Sequence, residues 1–272
     1  MMRFLRRYGV RIGIGAVLLA AFFGVLLVWM PYQREQRIAK EFEAAGGKVR
    51  WEYCGPDWVQ QSIRGRIPFA HRVVSVDLDR QKMPPAILAG LESLSNLENF
   101  YADHVQFDDA ACKHLKSRTR LVCLYLTETP LTDAGMAHLK DLDNLEALDL
   151  GRTQITDNGL KHLQGKSRLS ILFLSFTKVS GAGMDYLKGL PKLIMLELSG
   201  VEIGEAGLEK VGELTQLQSL FLCETKVADA GLVSLEGLHG LKLLGLSGTQ
   251  TTAEGRARLR EKLPNCKITP EP

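Results

Sequence analysis

The stretch 145–168, LEALDLGRTQITDNGLKHLQGKSR, begins again every 24 residues, at Leu169, Leu193, Leu217 and Leu241, and earlier at Leu121, Leu97 and, less cleanly, Val73. A fixed period in this range implies a solenoid, in which each unit buries its apolar face only against its neighbours. No other feature restricts the fold as strongly.

Each start is counted here as position 1. Positions 1, 4 and 6 are nearly always aliphatic, as in Leu145, Leu148 and Leu150, then Leu169, Leu172 and Leu174. Positions 4 and 6 lie two apart and share one face of a strand. Position 11 is apolar in most units (Leu131, Ile155, Val179, Ile203, Val227), and positions 16 and 19 are apolar at helical spacing (Leu160 with Leu163, Leu208 with Val211). A period of 2 that switches to about 3.6 inside one unit predicts a short strand, a turn and a helix. Thr132, Thr156 and Ser180 precede these helices and are read as N-caps. Position 15 is glycine at Gly135, Gly159, Gly183, Gly207, Gly231 and Gly255. Glycine inside a helix costs about 1 kcal/mol relative to alanine. The column is expected to mark close approach of each helix backbone to the sheet layer.

The pattern L-x-x-L-x-L is that of leucine-rich repeats. The variant TQITDNGL at Thr153–Leu160 resembles the 24-residue class also found in F-box-linked repeat proteins. In full layout, over about residues 38–272, the chain resembles the membrane-anchored leucine-rich repeat proteins of planctomycete-type bacteria. Position 9 departs from many repeat classes, with Thr129, Thr153 or Val201 where asparagine is common. No F-box precedes the repeats, so a ubiquitin-ligase role does not carry over. The expected fold is an α/β leucine-rich repeat solenoid, or horseshoe, of about eight strand–helix units. The expected organisation is a tail and anchor over 1–31, a helix and N-terminal cap over 32–72, repeats with a closing strand over 73–268, and a tail over 269–272.

Residues 12–30, IGIGAVLLAAFFGVLLVWM, hold no charge. At 1.5 Å per residue such a helix spans about 28 Å, close to a bilayer core. Tyr8, Trp29 and Tyr32 fall where interfacial aromatics belong. A cleaved signal peptide is the rival reading, but no small-x-small site follows Val28-Trp29-Met30. The segment is therefore read as an uncleaved signal anchor, a transmembrane helix that makes this a single-pass membrane protein. Arg3, Arg6, Arg7 and Arg11 favour a cytoplasmic N-terminus with the repeats outside the cytoplasm, although Arg34, Arg37 and Lys40 nearly match them on the other side. Ala16, Ala20 and Gly24 share one helix face, where small residues can let two membrane helices associate. Without those four arginines, the 34 Lys and Arg come close to balancing the 31 Asp and Glu, so no basic patch points to nucleic acid.

Before the repeats, KVRWEY at 48–53 alternates as a strand, 58–64 is a short helical candidate, and Trp51, Trp58, Ile63 and Phe69 are available to cover the first core layer. At the other end, Cys266-Lys267-Ile268 is read as a strand that closes the stack.

Little in the chain suggests catalysis or a cofactor. His114, His138 and His162 share position 18, but helices about 8–10 Å apart cannot bring three rings to one zinc ion. Asp109, Asp133, Asp157 and Asp229 share position 13, where a negative charge suits a helix N-terminus. Cys54, Cys112, Cys123, Cys223 and Cys266 show no metal spacing, and Cys123 and Cys223 lie about 19 Å apart at one strand per repeat, too far to bridge. Gly9, Gly13 and Gly15 fall in the anchor and form no nucleotide fingerprint. No nucleophile–base pairing carries a motif, so no metal, no cofactor and no enzyme activity is expected.

The outward strand face is the informative part. Position 5 reads Asp77, Tyr101, Tyr125, Asp149, Phe173, Glu197, Phe221 and Gly245, beside Cys123, Ile171 and Met195 at position 3. Large apolar side chains in water usually mark an interaction surface. The expected ligand-binding residues are Tyr101, Tyr125, Asp149, Ile171, Phe173, Met195, Glu197 and Phe221. An apolar ladder that packs only on itself is the bland alternative. The leading functional expectation is a membrane-tethered scaffold that binds another protein through this concave face. A structural cell-envelope component that self-assembles comes second, and an enzyme or glycan-binding protein third.

Overall fold

A computed structural model describes residues 29–57, 59–78, 80–81 and 83–270. The uncharged run, with Ala16, Ala20 and Gly24, lies outside the described residues apart from its last two positions. Among the described residues no helix is long and apolar enough to cross a membrane.

Among the described residues, ten strands form one sheet in chain order. They are β1 (Lys48–Tyr53), β2 (His71–Asp77), β3 (Asn99–Tyr101), β4 (Cys123–Tyr125), β5 (Ala147–Asp149), β6 (Ile171–Phe173), β7 (Met195–Glu197), β8 (Ser219–Phe221), β9 (Leu243–Gly245) and β10 (Lys267–Thr269). β1 pairs antiparallel with β2, and every later pair is parallel. The parallel register is 24 residues throughout, as in Leu124 opposite Leu148 and Leu148 opposite Leu172. The repeat period and the strand register are therefore one quantity. Slipping by one residue would turn every core leucine out to water.

The core lies between this sheet and the helical segments. Leu124, Leu148, Leu172, Leu196 and Leu220 are fully buried at the strand centres, facing Leu160, Leu163, Met184, Leu187, Leu208 and Val211 from the helical side. The helical segments are shorter than the sequence suggests. Asp109–Cys112 and Asp157–Leu160 are single α-turns that continue as 3₁₀ turns over Lys113–Leu115 and Lys161–Leu163, and Gly181–Leu187 is wholly 3₁₀. Strands stack about 4.8 Å apart, whereas helical segments need more room, so the stack curves with the sheet on the inner, concave side.

Position 9 explains its own residue type. The buried hydroxyls of Thr129, Thr153, Thr177 and Thr225 donate to the carbonyls of Leu126, Leu150, Leu174 and Leu222, at 2.6–2.8 Å. Each hydroxyl adds a bond within its own turn, contributing about 1 kcal/mol; the carbonyls of Leu150 and Leu174 also accept the N–H of the same threonine at 3.3 Å.

The position-13 aspartates do more than favour a helix dipole. Asp133 accepts from the backbone N–H of Thr156 at 2.8 Å and from its hydroxyl at 2.5 Å, one repeat later. Asp109 does the same for Thr132, Asp157 for Ser180, and Asp229 for Thr252. The hydroxyls of Thr132, Thr156 and Ser180 also accept from the first turns of their own helices, as N-caps do. Four of the six column glycines, Gly135, Gly159, Gly183 and Gly255, belong to this clamp, not to the sheet layer as the sequence suggests, while Gly231 lies against the Leu208 side chain. A Cβ on Gly159 would lie 2.5 Å from Asp133 Oδ1, and a Cβ on Gly135 would lie 2.5 Å from Asp109 Oδ1. Where Gly181 replaces the aspartate, the next glycine, Gly207, packs against the Gly181 Cα instead.

The N-terminal cover differs from expectation. Residues 29–44 are helical and drive Ile38, Ala39 and Phe42 into the core. Phe69 is exposed and stands outside the core cluster, while Trp51 packs on the core edge from β1. Trp58 and the side chain of Ile63 lie outside the described residues. Tyr32 is not left for a membrane interface: it is buried, with its ring 6.0 Å from that of Trp51. Glu35 comes in with the same helix, fully buried, and accepts from the Val73 N–H at 3.1 Å. Burial pushes its carboxyl above the usual range, against the pull of that hydrogen bond and of Arg72 and Arg118. At the far end β10 closes the stack, with Ile268 in the core, and it takes in Thr269, which the sequence assigns to the tail.

Candidate functional site

Residues beside a buried strand centre point the opposite way, and the burial pattern shows it. In β3, β4, β6, β7 and β8 the middle residue is buried while both flanking residues are partly exposed. Tyr101, Tyr125, Asp149, Phe173, Glu197 and Phe221 thus stand in one column on the concave face, with Ile171 and Met195 beside them. All eight residues singled out from the sequence share this face. Of its other members, Ala147 at position 3 of β5 is buried rather than open.

The column has internal structure. Tyr101 and Tyr125 meet edge to face, with centroids 5.2 Å apart. Tyr125 and Phe173 meet at 6.4 Å across the intervening Asp149. Their backbones are two strands apart, about 9.6 Å, so the two rings lean toward each other over the carboxylate. That cover desolvates Asp149 and pushes its carboxyl above the usual range, opposed by hydrogen bonds from the Gly151 N–H and the Thr127 hydroxyl. Burial likewise raises the phenols of Tyr101 and Tyr125. Phe221 leans the other way: a Cβ on Gly245 would lie 2.8 Å from its Cδ1. Part of the ladder therefore packs on itself, and part of it stays open.

A second column runs beside the first and has no signature in residue type. Position 8 takes left-handed backbone in every unit: Arg80, His104, Glu128, Arg152, Phe176 and Glu224, with Gly200 and Gly248 where glycine makes this cost-free. For residues with a Cβ this conformation costs roughly 1–2 kcal/mol each. It holds because each N–H donates across to the next repeat, as Glu128 does to the Gly151 carbonyl at 2.9 Å and Phe176 to that of Ser199 at 2.8 Å. The side chains then stack along the rim. Glu128 reaches His104 and Arg152, both at 3.4 Å, and the Arg152 guanidinium lies 4.2 Å from the centre of the Phe176 ring. Such surface pairs are worth about 1 kcal/mol or less. Only the recurrence of a turn after position 6 could have pointed to this column.

The remaining chemistry is structural. The His114 ring bonds Glu92 at 2.6 Å, on the helical side. No cluster of His, Cys, Asp or Glu able to hold a metal occurs among the described residues. The five cysteines are all free. Lys166 and Arg118 stand at position 22, which is leucine in most units. Lys166 is buried and donates to the carbonyls of Lys140 and Leu142, both at 3.0 Å. A cleft of about 730 Å³ lies between the cap and the first repeats, lined by Tyr53, Cys54, Phe69, Arg72, Glu98 and Arg120 among others.

The repeat, its register and the inward leucines define a leucine-rich repeat-like α/β fold. Solved structures with this arrangement include an internalin C2 from Listeria monocytogenes, with a TM-score of 0.60 and 24% identity over 72% of this chain and 80% of that one. An internalin (inlF) from the same organism is similar at a TM-score of 0.44 and 19% identity, over 68% of this chain and 70% of that one. The LRR ectodomain of the plant membrane receptor kinase GASSHO1/SCHENGEN3 from Arabidopsis thaliana, solved in complex with Casparian strip integrity factor 2, is similar at 0.48 and 15%, over 72% of this chain and 24% of that one. No protein-family model matches the chain, and no curated protein matches it.

Proposed function

We propose that this protein is a membrane-tethered leucine-rich repeat scaffold that binds another protein through its concave strand face. The observation that carries the reading is the continuous column Tyr101, Tyr125, Asp149, Phe173, Glu197 and Phe221, partly exposed across successive strands. Aromatic side chains held half in water, on a rigid sheet, supply contact area at low entropic cost, as interface hot spots do. The likeness to internalin C2 supports the scaffold and says nothing of a partner. Tethering rests on the uncharged run 12–30, and the repeats are taken to lie outside the cytoplasm. The layout fits the resemblance to planctomycete-type membrane-anchored repeat proteins, and the reading assigns no enzyme activity.

Affinity capture from source membranes with the full chain, compared with the triple variant Tyr125→Ala, Phe173→Ala and Phe221→Ala, tests this reading. Capture of a specific protein by the first and not by the folded variant is expected. Equal capture by both discards the face as the site. Concentration-dependent oligomers with no captured protein would favour self-assembly instead.

A further inference from the structure

The open part of the ladder has a chemistry of its own. At positions 3, 5 and 7 of the units from β3 to β9 the charged residues are Asp103, Asp149 and Glu197, and none is Lys or Arg. Among the described residues, cations in the outward strand columns stand at the ends, with Lys48 and Arg50 on β1 and Lys267 on β10, and Arg152 stands on the rim beside them. Glu197 differs from Asp149 in its surroundings. On one side Phe173 leans away toward Tyr125. On the other, Phe221 leans away over Gly245. The two rings part over β7, so the Glu197 carboxylate stands in a gap with an aromatic ring on either side. One of its oxygens, Oε1, accepts from the Ser199 N–H at 2.9 Å. No ion pair involves Glu197 among the described residues.

We propose that this gap anchors a basic side chain, Lys or Arg, of an extended segment in the protein bound on the concave face. The proposal rests on the protein-binding reading above and names the partner's chemistry. The carboxylate offers a cation a charge-assisted hydrogen bond, and the flanking rings give the apolar stem of Lys or Arg a surface to lie along. The spacing suits an extended segment. Asp149 and Glu197 are two strands apart, about 9.6 Å. A polyproline-type segment rises about 3.1 Å per residue and repeats its facing every three residues, about 9.3 Å. A segment laid along the column therefore presents side chains at i and i+3 to these two carboxylates. Glu197 takes the principal cation, because the Tyr125 and Phe173 rings partly cover Asp149.

The test is selection of random dodecapeptides displayed on phage against the full chain in detergent, repeated on Glu197→Gln and Phe173→Ala. Gln keeps an acceptor oxygen for the Ser199 N–H, and circular dichroism checks that each variant folds. Peptides selected on the unaltered chain are expected to be enriched in Lys and Arg and depleted in Asp and Glu. The tightest of them should bind Glu197→Gln about five- to tenfold more weakly, and added salt should weaken binding to the unaltered chain more than to this variant. Peptides without net positive charge that still lose binding to Phe173→Ala would overturn the basic anchor while keeping the concave face as the site. Peptides indifferent to both variants, or no enrichment at all, would overturn the anchor, and indifference to Phe173→Ala would count against the face as well.

Discussion

Gly159→Ala is predicted to destabilise the protein more while Asp133 is present than after its removal. In the helix Asp157–Leu160 an alanine would ordinarily gain about 1 kcal/mol over glycine. Here the new Cβ would stand 2.5 Å from Asp133 Oδ1 and 2.8 Å from Ile155 Cγ2. The Ile155 γ2 methyl sits on the stiff, branched Cβ of a buried side chain, so its crowding is a cost with or without Asp133. The carboxylate cannot move without giving up Thr156, whose N–H and hydroxyl it accepts at 2.8 and 2.5 Å. Hydrogen bonds to a charged group contribute about 1.5–3 kcal/mol. Gly159→Ala should therefore cost about 1–2 kcal/mol net. In the Asp133→Ala background, where the clamp is already lost and only the crowding at Ile155 remains, the same change should cost about 1–2 kcal/mol less. The double-mutant cycle should give a coupling of about 1–2 kcal/mol, measured by urea unfolding of the full chain in mild detergent. Additive effects, or a stabilising Gly159→Ala in the unaltered chain, would refute the clamp as the reason for Gly159.

Strand parity predicts that Leu172→Ala loses about 2–5 kcal/mol through burial and cavity terms, while Phe173→Ala loses less than about 1 kcal/mol, in the same unfolding assay. Equal losses would refute the register. Thr153→Val should cost about 1 kcal/mol by deleting the hydroxyl that bonds the Leu150 carbonyl, without disturbing packing, since Val201 fills the same column. Glu35 sets a pH dependence. Its folded carboxyl holds a proton above the usual 4.5, so its contribution is present below that value and is lost as pH rises from there through the raised folded value. Glu35→Gln should flatten the stability–pH profile in that window, and an unchanged slope would show that the buried carboxyl is not its source.

The sequence carries the parts of this fold that depend on solvent alone. A 24-residue apolar period fixes the register, and the alternation of Leu172 with Phe173 or Leu220 with Phe221 decides which residues face the core. It is poorer where one repeat acts on the next. The Asp133–Thr156–Gly159 clamp spans two units, so its three columns look like separate local signals: a charge, a cap and a helix-breaking residue. The left-handed column is hidden for a different reason. Its conformation is imposed by hydrogen bonds between turns, so residues as different as Arg152, Phe176 and Glu224 occupy it. The cap was legible as a need to cover the first core layer. Its agents, Ile38, Ala39 and Phe42 on a charged helix, were masked by the more conspicuous Phe69. The lean of Phe173 and Phe221 away from Glu197 follows from what stands on each side of them, Tyr125 and Gly245, and parity alone says nothing of it.

Photo-crosslinking in cells tests the central claim most directly. A photoreactive phenylalanine analogue replaces Phe173 on the concave face in one strain. In another it replaces Val233, which is 64% exposed on the helical side. The account predicts a discrete protein adduct from position 173 that is absent from position 233. Adducts from 233 with none from 173 would contradict it.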